Sequence, residues 1–218
     1  MARLLNHLSS MHKLPDNKKF PLPDECRLDI SWWDRYLRRF NGVECIYPDA
    51  AINLSLDQLL DSPAFVNCGD AQPMGGGAYF ASEYWSRPFP RWLQDPSIGI
   101  HVKEFWVALV SAWIWGEKWA GRVVYVFCDN VAVVESLEKQ KPHDPKLQEL
   151  LREYMYVVCT RGFTPKFRTI GTKANEIADY VSRVHDDKAI ESFFASKGLT
   201  QKSKICVPDT LFSLQSNW

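Results

Sequence analysis

Four carboxylates stand where an ordinary structural role is hard to assign. Asp70 closes the apolar stretch Ala64-Phe65-Val66-Asn67-Cys68-Gly69, and Asp129 closes Val123-Val124-Tyr125-Val126-Phe127-Cys128. Glu104 opens a segment that is otherwise apolar on most faces, and Asp179 lies between Ala178 and Tyr180. A carboxylate buried without a partner costs several kcal/mol. No Lys or Arg is expected at an obvious pairing distance along these segments, so a metal ion is an economical partner, and hard oxygen ligands favour Mg²⁺. Singly, an Asp at a strand end is more often a turn former. Together the four have a more specific use. Carboxylates shared by two cations about 4 Å apart clamp a phosphodiester, one ion making hydroxide from water and the other stabilising the departing oxygen.

Elements that would position these acids follow from the apolar pattern. From residue 64 onward, β-rich segments alternate with helical ones, as α/β layers require. A strand running to Asp70 is followed by Gly75-Gly76-Gly77, read as a turn into a second strand, Ala78-Tyr79-Phe80-Ala81; a third spans Tyr84 to Arg87. Ile100 to Trp115 reads as a buried helix, and Val123 to Cys128 as a strand covered on both faces. A helix from about Lys146 to Arg161 should end at Gly162, which suits the left-handed C-terminal position. Phe163 to Ile170 gives the last of five expected strands, and Asn175 can cap a short helix from Glu176 to Arg183.

Residues 1–60 read as a helical lead-in: Leu4, Leu5 and Leu8 share helical spacing, a Pro-rich break follows, and Ile30 to Phe40 forms a second helix. There Trp33, Tyr36, Leu37 and Phe40 share one face, and Arg38 and Arg39 read as a solvated face. At 218 residues and 46% hydrophobic content, one compact domain with appendages is expected.

Lys plus Arg and Asp plus Glu both number 26, which excludes a global positive field; nucleic-acid affinity would have to come from a local patch. The longest apolar run, Phe105 to Trp115, is far short of the roughly 20 residues that span a membrane. No signal-peptide pattern opens the chain, so an intracellular location, cytoplasm or nucleus, is expected. Six scattered cysteines show no CxxC pair, so their spacing indicates neither a zinc site nor a redox motif, and they are expected to be reduced and mostly buried. The five histidines have no ligand spacing among themselves, and the tryptophans around Glu104 are expected to pack the core.

The motifs Asp70-Ala71-x-x-x-Gly75-x-Gly77-Ala78, Glu104 in its apolar helix, Phe127-Cys128-Asp129-Asn130 and Ala178-Asp179-Tyr180-Val181-Ser182-Arg183 resemble the ribonuclease H domain of retroelement reverse transcriptases. Leu28 to Leu37 followed by Asn41-Gly42-Val43 looks like the segment joining polymerase to ribonuclease H in DIRS-type retrotransposons, and the Val207–Phe212 tail is similar to the end of that region. The resemblance implies a ribonuclease H-like α/β fold, a mixed five-stranded sheet flanked by helices with a helical lead-in. It divides the chain into a connection-like lead-in (1–60), the ribonuclease H-like domain (61–185) and a C-terminal extension (186–218). It implies metal ligation by Asp70, Glu104, Asp129 and Asp179, two Mg²⁺ ions with Mn²⁺ as a substitute, and endonucleolytic cutting of the RNA strand of an RNA/DNA hybrid. A reverse transcriptase polymerase domain in the parent chain is the implied partner. Choosing RNA requires contacts to the 2′-hydroxyl; Gln72, Asn130 and Asn175 are the candidates for substrate contact.

Two departures matter. Gln72 replaces the Ser or Gly common after the Asp-Ala pair, and no His occurs in Gly171 to Asn175. Two other readings compete: a related exonuclease, which would carry Glu rather than Gln at position 72, and a catalytically silent domesticated module that binds nucleic acid or protein.

Overall fold

The structure is a computed structural model that describes residues 21–39, 66–140, 142–199 and 203–212. The chain divides into two compact units, residues 1–44 and 45–218. In the first, helix α1 (Asp24–Leu37) begins earlier than its apolar pattern suggests, with Pro23 at the N-cap. Trp32 stacks on Tyr36 at 5.4 Å between ring centroids and meets Trp33 edge-on at 5.0 Å. Arg38 is solvent-exposed and forms a two-pronged bond with Asp34 one turn back. The expected helix around Leu4 to Leu8, and Phe40, lie outside the described residues.

The second unit is a six-stranded mixed sheet. Its strands are β1 (Val66–Ala71), β2 (Gly75–Phe80), β3 (Glu83–Pro88), β4 (Val123–Cys128), β5 (Thr164–Thr169) and β6 (Ser203–Lys204), in the order β5-β4-β1-β2-β3-β6. The hairpin-connected strands β1, β2 and β3 are antiparallel, whereas β4 and β5 run parallel to β1 on one side and β6 runs parallel to β3 on the other. This is the α/β, ribonuclease H-like architecture expected, with one strand more. The sixth strand is a two-residue edge piece, too short to register as alternating hydrophobicity.

Helices cover both faces. Helix α2 (Ile100–Trp119) runs on four residues past the expected end and packs against α4 (Pro145–Arg161) on one face, with α3 (Val131–Glu138) beside them. On the other face α5 (Glu176–Arg183) lies across β1 and β2, followed by α6 (Asp187–Ser196). Gly162 ends α4 in the left-handed region at φ 70°, as its position predicts. Trp85, Trp106, Trp115 and Trp119 are fully buried in the main core with Phe105 and Tyr154, while Trp92 and Trp113 pack against it from partly exposed positions. Ile190 and Phe194 of α6 pack with Tyr84 and Val181, and Val207 and Phe212 join the main core, so residues beyond 185 contribute to the interior.

Gly75-Gly76-Gly77 corrects one expectation: the three glycines lie inside β2, and the turn is made by residues 72–74. The reason is close approach of the layers. A Cβ on Gly77 would come within 2.6 Å of the Val181 carbonyl oxygen in α5, and one on Gly76 would meet Val107 of α2 at the same distance. Gly69 of β1 is pressed in the same way against Val107. Among the described residues no helix is long and apolar enough to cross a membrane.

Candidate metal centre

Parallel pairing of β1 with β4 brings two of the acids to one sheet edge. The last register pair is Cys68 opposite Phe127, so Asp70 and Asp129 both lie two residues further along, side by side at the carboxyl ends of the strands. Open α/β sheets bind ligands outside such ends. Glu104 reaches the same place from the first turns of α2, where its carboxylate accepts from the Cys128 thiol at 3.6 Å. Asp179 arrives from α5 on the opposite face and is linked to Asp70 by Gln72, whose side-chain Nε2 donates to Asp70 Oδ2 at 3.0 Å and to Asp179 Oδ1 at 3.4 Å.

The four acids therefore meet as two pairs. Among the described residues, the group of His, Cys, Asp or Glu donors that lie within 4.8 Å of one another is Glu104, Cys128 and Asp129. Asp70 and Asp179 form the second pair, closed by hydrogen bonds. Ser182 donates its hydroxyl to Asp70 Oδ2 at 2.6 Å, and Arg183 binds Asp179 Oδ1 through Nε at 3.0 Å and a terminal nitrogen at 2.6 Å. Arg183 corrects the expectation that no cation stands within pairing distance. It lies four residues after Asp179 on the same helix, the spacing at which side chains meet.

Burial, with neighbouring charge behind it, shifts three of these groups upward. Burial raises the Glu104 carboxyl from its ordinary 4.5 to about 7, and the charges of Asp129 and Asp70 add to the rise against hydrogen bonds from Asn130 and Cys128. Burial also raises Asp70, partly offset by the Ser182 and Gln72 hydrogen bonds, with Asp129 and Asp179 pushing it further up. The Cys128 thiol is pushed well above its ordinary value by burial first and by Glu104 second. Carboxyls raised by burial and by a neighbour's charge, as Asp70 and Glu104 are, are relieved by a shared cation, so the donor set fits a divalent metal.

The candidate substrate-contacting residues are placed unequally. Gln72 lies between two of the acids. Asn130 follows Asp129 directly, caps α3 by accepting from the Val133 N–H at 3.3 Å, and hydrogen-bonds Glu104. Asn175 occupies the N-cap position of α5 but makes no capping bond there; it is 1% exposed and donates to the Gly69 carbonyl at 3.4 Å. No histidine lies in residues 171–175, yet the His185 ring covers Gly75, the residue paired with Gln72 across the turn. Ser86 Oγ donates to the Val184 carbonyl at 2.8 Å and sits 2.7 Å from His185 Nδ1, so Nδ1 is the donor in that second bond.

Ser182, Arg183 and Cys128 are participants that the sequence reading did not single out. Arg183 was readable from its spacing, whereas the reach of Ser182 across 112 residues to Asp70 is tertiary. None of the five described cysteines forms a disulfide, and the expectation that most are buried is met by Cys26 and Cys68 alone among them, Cys159 and Cys206 being exposed.

No protein-family model and no curated protein matches the chain. Solved structures do. The ribonuclease H1 of the halophilic archaeon Halobacterium salinarum NRC-1 is similar over 54% of this chain and 93% of its own, with 11% identity and a TM-score of 0.42. The N-terminal ribonuclease H domain of Rv2228c from Mycobacterium tuberculosis, fused to maltose-binding protein, is similar over 54% and 96%, with 14% identity and a TM-score of 0.39. LC11-RNase H1, isolated from compost by a metagenomic approach, is similar over 57% and 95%, with 20% identity and a TM-score of 0.39.

Proposed function

We propose that this chain is the ribonuclease H part of a DIRS-type retroelement reverse transcriptase, and that it hydrolyses the RNA strand of RNA/DNA hybrids with Mg²⁺, or Mn²⁺ in its place. The observation that carries the reading is the meeting of Asp70 and Asp129 at adjacent strand ends, with Glu104 raised to about 7 beside them. In this reading Asp70, Glu104, Asp129 and Asp179 hold two ions. When bound, those ions supply a hydroxide from water and charge stabilisation at the departing 3′ oxygen.

The chain's own residues set the stage for that chemistry. Ser182 and Gln72 fix the Asp70 carboxylate, and Arg183 fixes Asp179. Asn130 holds Glu104 while its own backbone starts α3. Gln72 and Asn130 lie beside the acids and are assigned to 2′-hydroxyl recognition; Asn175 acts from beneath, by holding Gly69 next to Asp70. Residues 1–60 serve as the connection to a polymerase domain in the parent chain, 61–185 as the nuclease body and 186–218 as its extension. The reading places the work inside the cell, in cytoplasm or nucleus, away from membranes.

One observation favours the silent binding module instead: Asp179 is already neutralised by Arg183. A labelled RNA/DNA hybrid separates the two. The proposal expects Mg²⁺-dependent cleavage of the RNA strand that falls at least about 100-fold in Asp129→Asn. Hybrid binding without cleavage in Mg²⁺ or Mn²⁺ would select the silent module, and equal cutting of duplex DNA would select the exonuclease-like alternative.

A further inference from the structure

We infer that Glu104, Cys128 and Asp129 form a binding site for a thiophilic divalent cation, Zn²⁺ foremost, which overlaps the Mg²⁺ site proposed above and shuts it off. The inhibitory part rests on that proposal; the binding part does not.

The donors come from two rigid elements. Cys128 and Asp129 are consecutive at the end of β4, where the Ile170 N–H donates to the Cys128 carbonyl at 3.2 Å and pins the strand end. Glu104 comes from α2. One ligand atom from each residue lies within 4.8 Å of the other two, and all three residues are partly exposed.

The donor set, one sulfur and two carboxylates, suits zinc better than magnesium. With Zn–S near 2.3 Å and Zn–O near 2.1 Å, tetrahedral angles place sulfur and oxygen about 3.6 Å apart. The Cys128 Sγ to Glu104 Oε2 distance is 3.6 Å. Mg²⁺ takes oxygen ligands and has little affinity for sulfur. Three protein donors leave the fourth tetrahedral position to water. Asn130, hydrogen-bonded to both Glu104 and the start of α3, supplies the outer support that orients a ligating carboxylate.

Binding breaks the Cys128 S–H bond, releases its proton to solvent and forms a metal–thiolate bond, with no change of oxidation state. The chemistry is reversible. Glu104 and Asp129, once committed to zinc, are no longer available to Mg²⁺, so zinc acts as a competitive off-switch that Mg²⁺ alone does not reproduce.

Co²⁺ titrated into the full chain provides the test, since a cobalt–thiolate bond gives a near-ultraviolet charge-transfer band whether or not the protein cuts anything. The band is expected at one equivalent, to be displaced by Zn²⁺ and not by a large excess of Mg²⁺, and to vanish in Cys128→Ser. It should persist in a Cys159→Ser/Cys206→Ser double variant, which keeps Cys128 and removes the two exposed described thiols. Glu104→Gln should weaken Co²⁺ at least about tenfold. A band that survives Cys128→Ser, or disappears in the double variant, overturns the site. In hybrid cleavage, each protein normalised to its own Mg²⁺-only rate, zinc should inhibit the wild type and spare Cys128→Ser; equal inhibition overturns the off-switch. Absence of any Mg²⁺-dependent cleavage counts against the proposed function and leaves the cobalt result to decide the site.

Discussion

The two faces of the sheet are built on opposite plans. On the face covered by α2 and α4, large side chains fill the space: Phe105 and Tyr154 lie 5.5 Å apart between centroids, and Trp119 meets Phe163 at 5.1 Å. Polar atoms there are buried at a cost, since Tyr154 Oη and Trp119 Nε1 find no hydrogen-bond partner among the described residues. On the face covered by α5, Gly77 brings strand backbone against helix backbone, and the buried Ser182 and Asp70 are bonded to each other. The first face provides stability through volume. The second gives up side-chain volume so that a helix carrying Asp179 and Ser182 can lie within reach of Asp70. The acids meet at the edge between the two plans, Glu104 coming from α2 and Asp179 from α5.

The contrast can be broken most severely on the thick face. Leu150→Ala leaves a cavity among fully buried neighbours and is expected to cost about 2–5 kcal/mol, read as a fall in the urea midpoint with an unchanged slope. Gly77→Ala attacks the thin face through a different mechanism. Its new Cβ meets the Val181 backbone, which cannot rotate away, so about 1–3 kcal/mol is expected. It should also lower cleavage, because α5 can yield only by carrying Asp179 with it; a Gly77→Ala protein with unchanged stability and activity would refute the close-packing account.

A smaller effect sharpens the electrostatic side. Glu104 holds its proton to about pH 7 in the fold, whereas an exposed glutamate loses it near 4.5. Between those values the native state binds more protons than the unfolded chain, so Glu104's contribution to stability falls as pH rises through that window and levels off above it. Glu104→Gln removes this slope. Its Tm advantage over the wild type should therefore grow by a few degrees from about pH 4.5 to about pH 8, and saturating Mg²⁺ should raise the wild-type Tm more than the variant's at the upper pH.

The thick face was legible in the sequence because its signals are local. Val123 to Cys128 reads as a covered strand, α2 as an apolar helix, and Gly162 as the end of α4, all within a residue or two except for the last turn of α2. The acids were legible for the same reason: each interrupts or terminates a hydrophobic pattern. The glycines were misread because three in a row look like a turn when what presses on them, His185 on Gly75, Val107 on Gly76 and Val181 on Gly77, lies far along the chain. The pairing of the acids was hidden as well. Which carboxylate faces which depends on the β1–β4 register and on the Gln72 bridge, neither of which has a signature along the chain.

Manganese-soaked crystals, examined by anomalous scattering at the manganese edge, test the central claim most directly. The account predicts Mn²⁺ bound among Asp70, Glu104, Asp129 and Asp179, with Gln72 released from at least one of its two carboxylates. Crystals in which Gln72 still links Asp70 to Asp179, Arg183 still holds Asp179, and no manganese signal lies near Asp129 would contradict it.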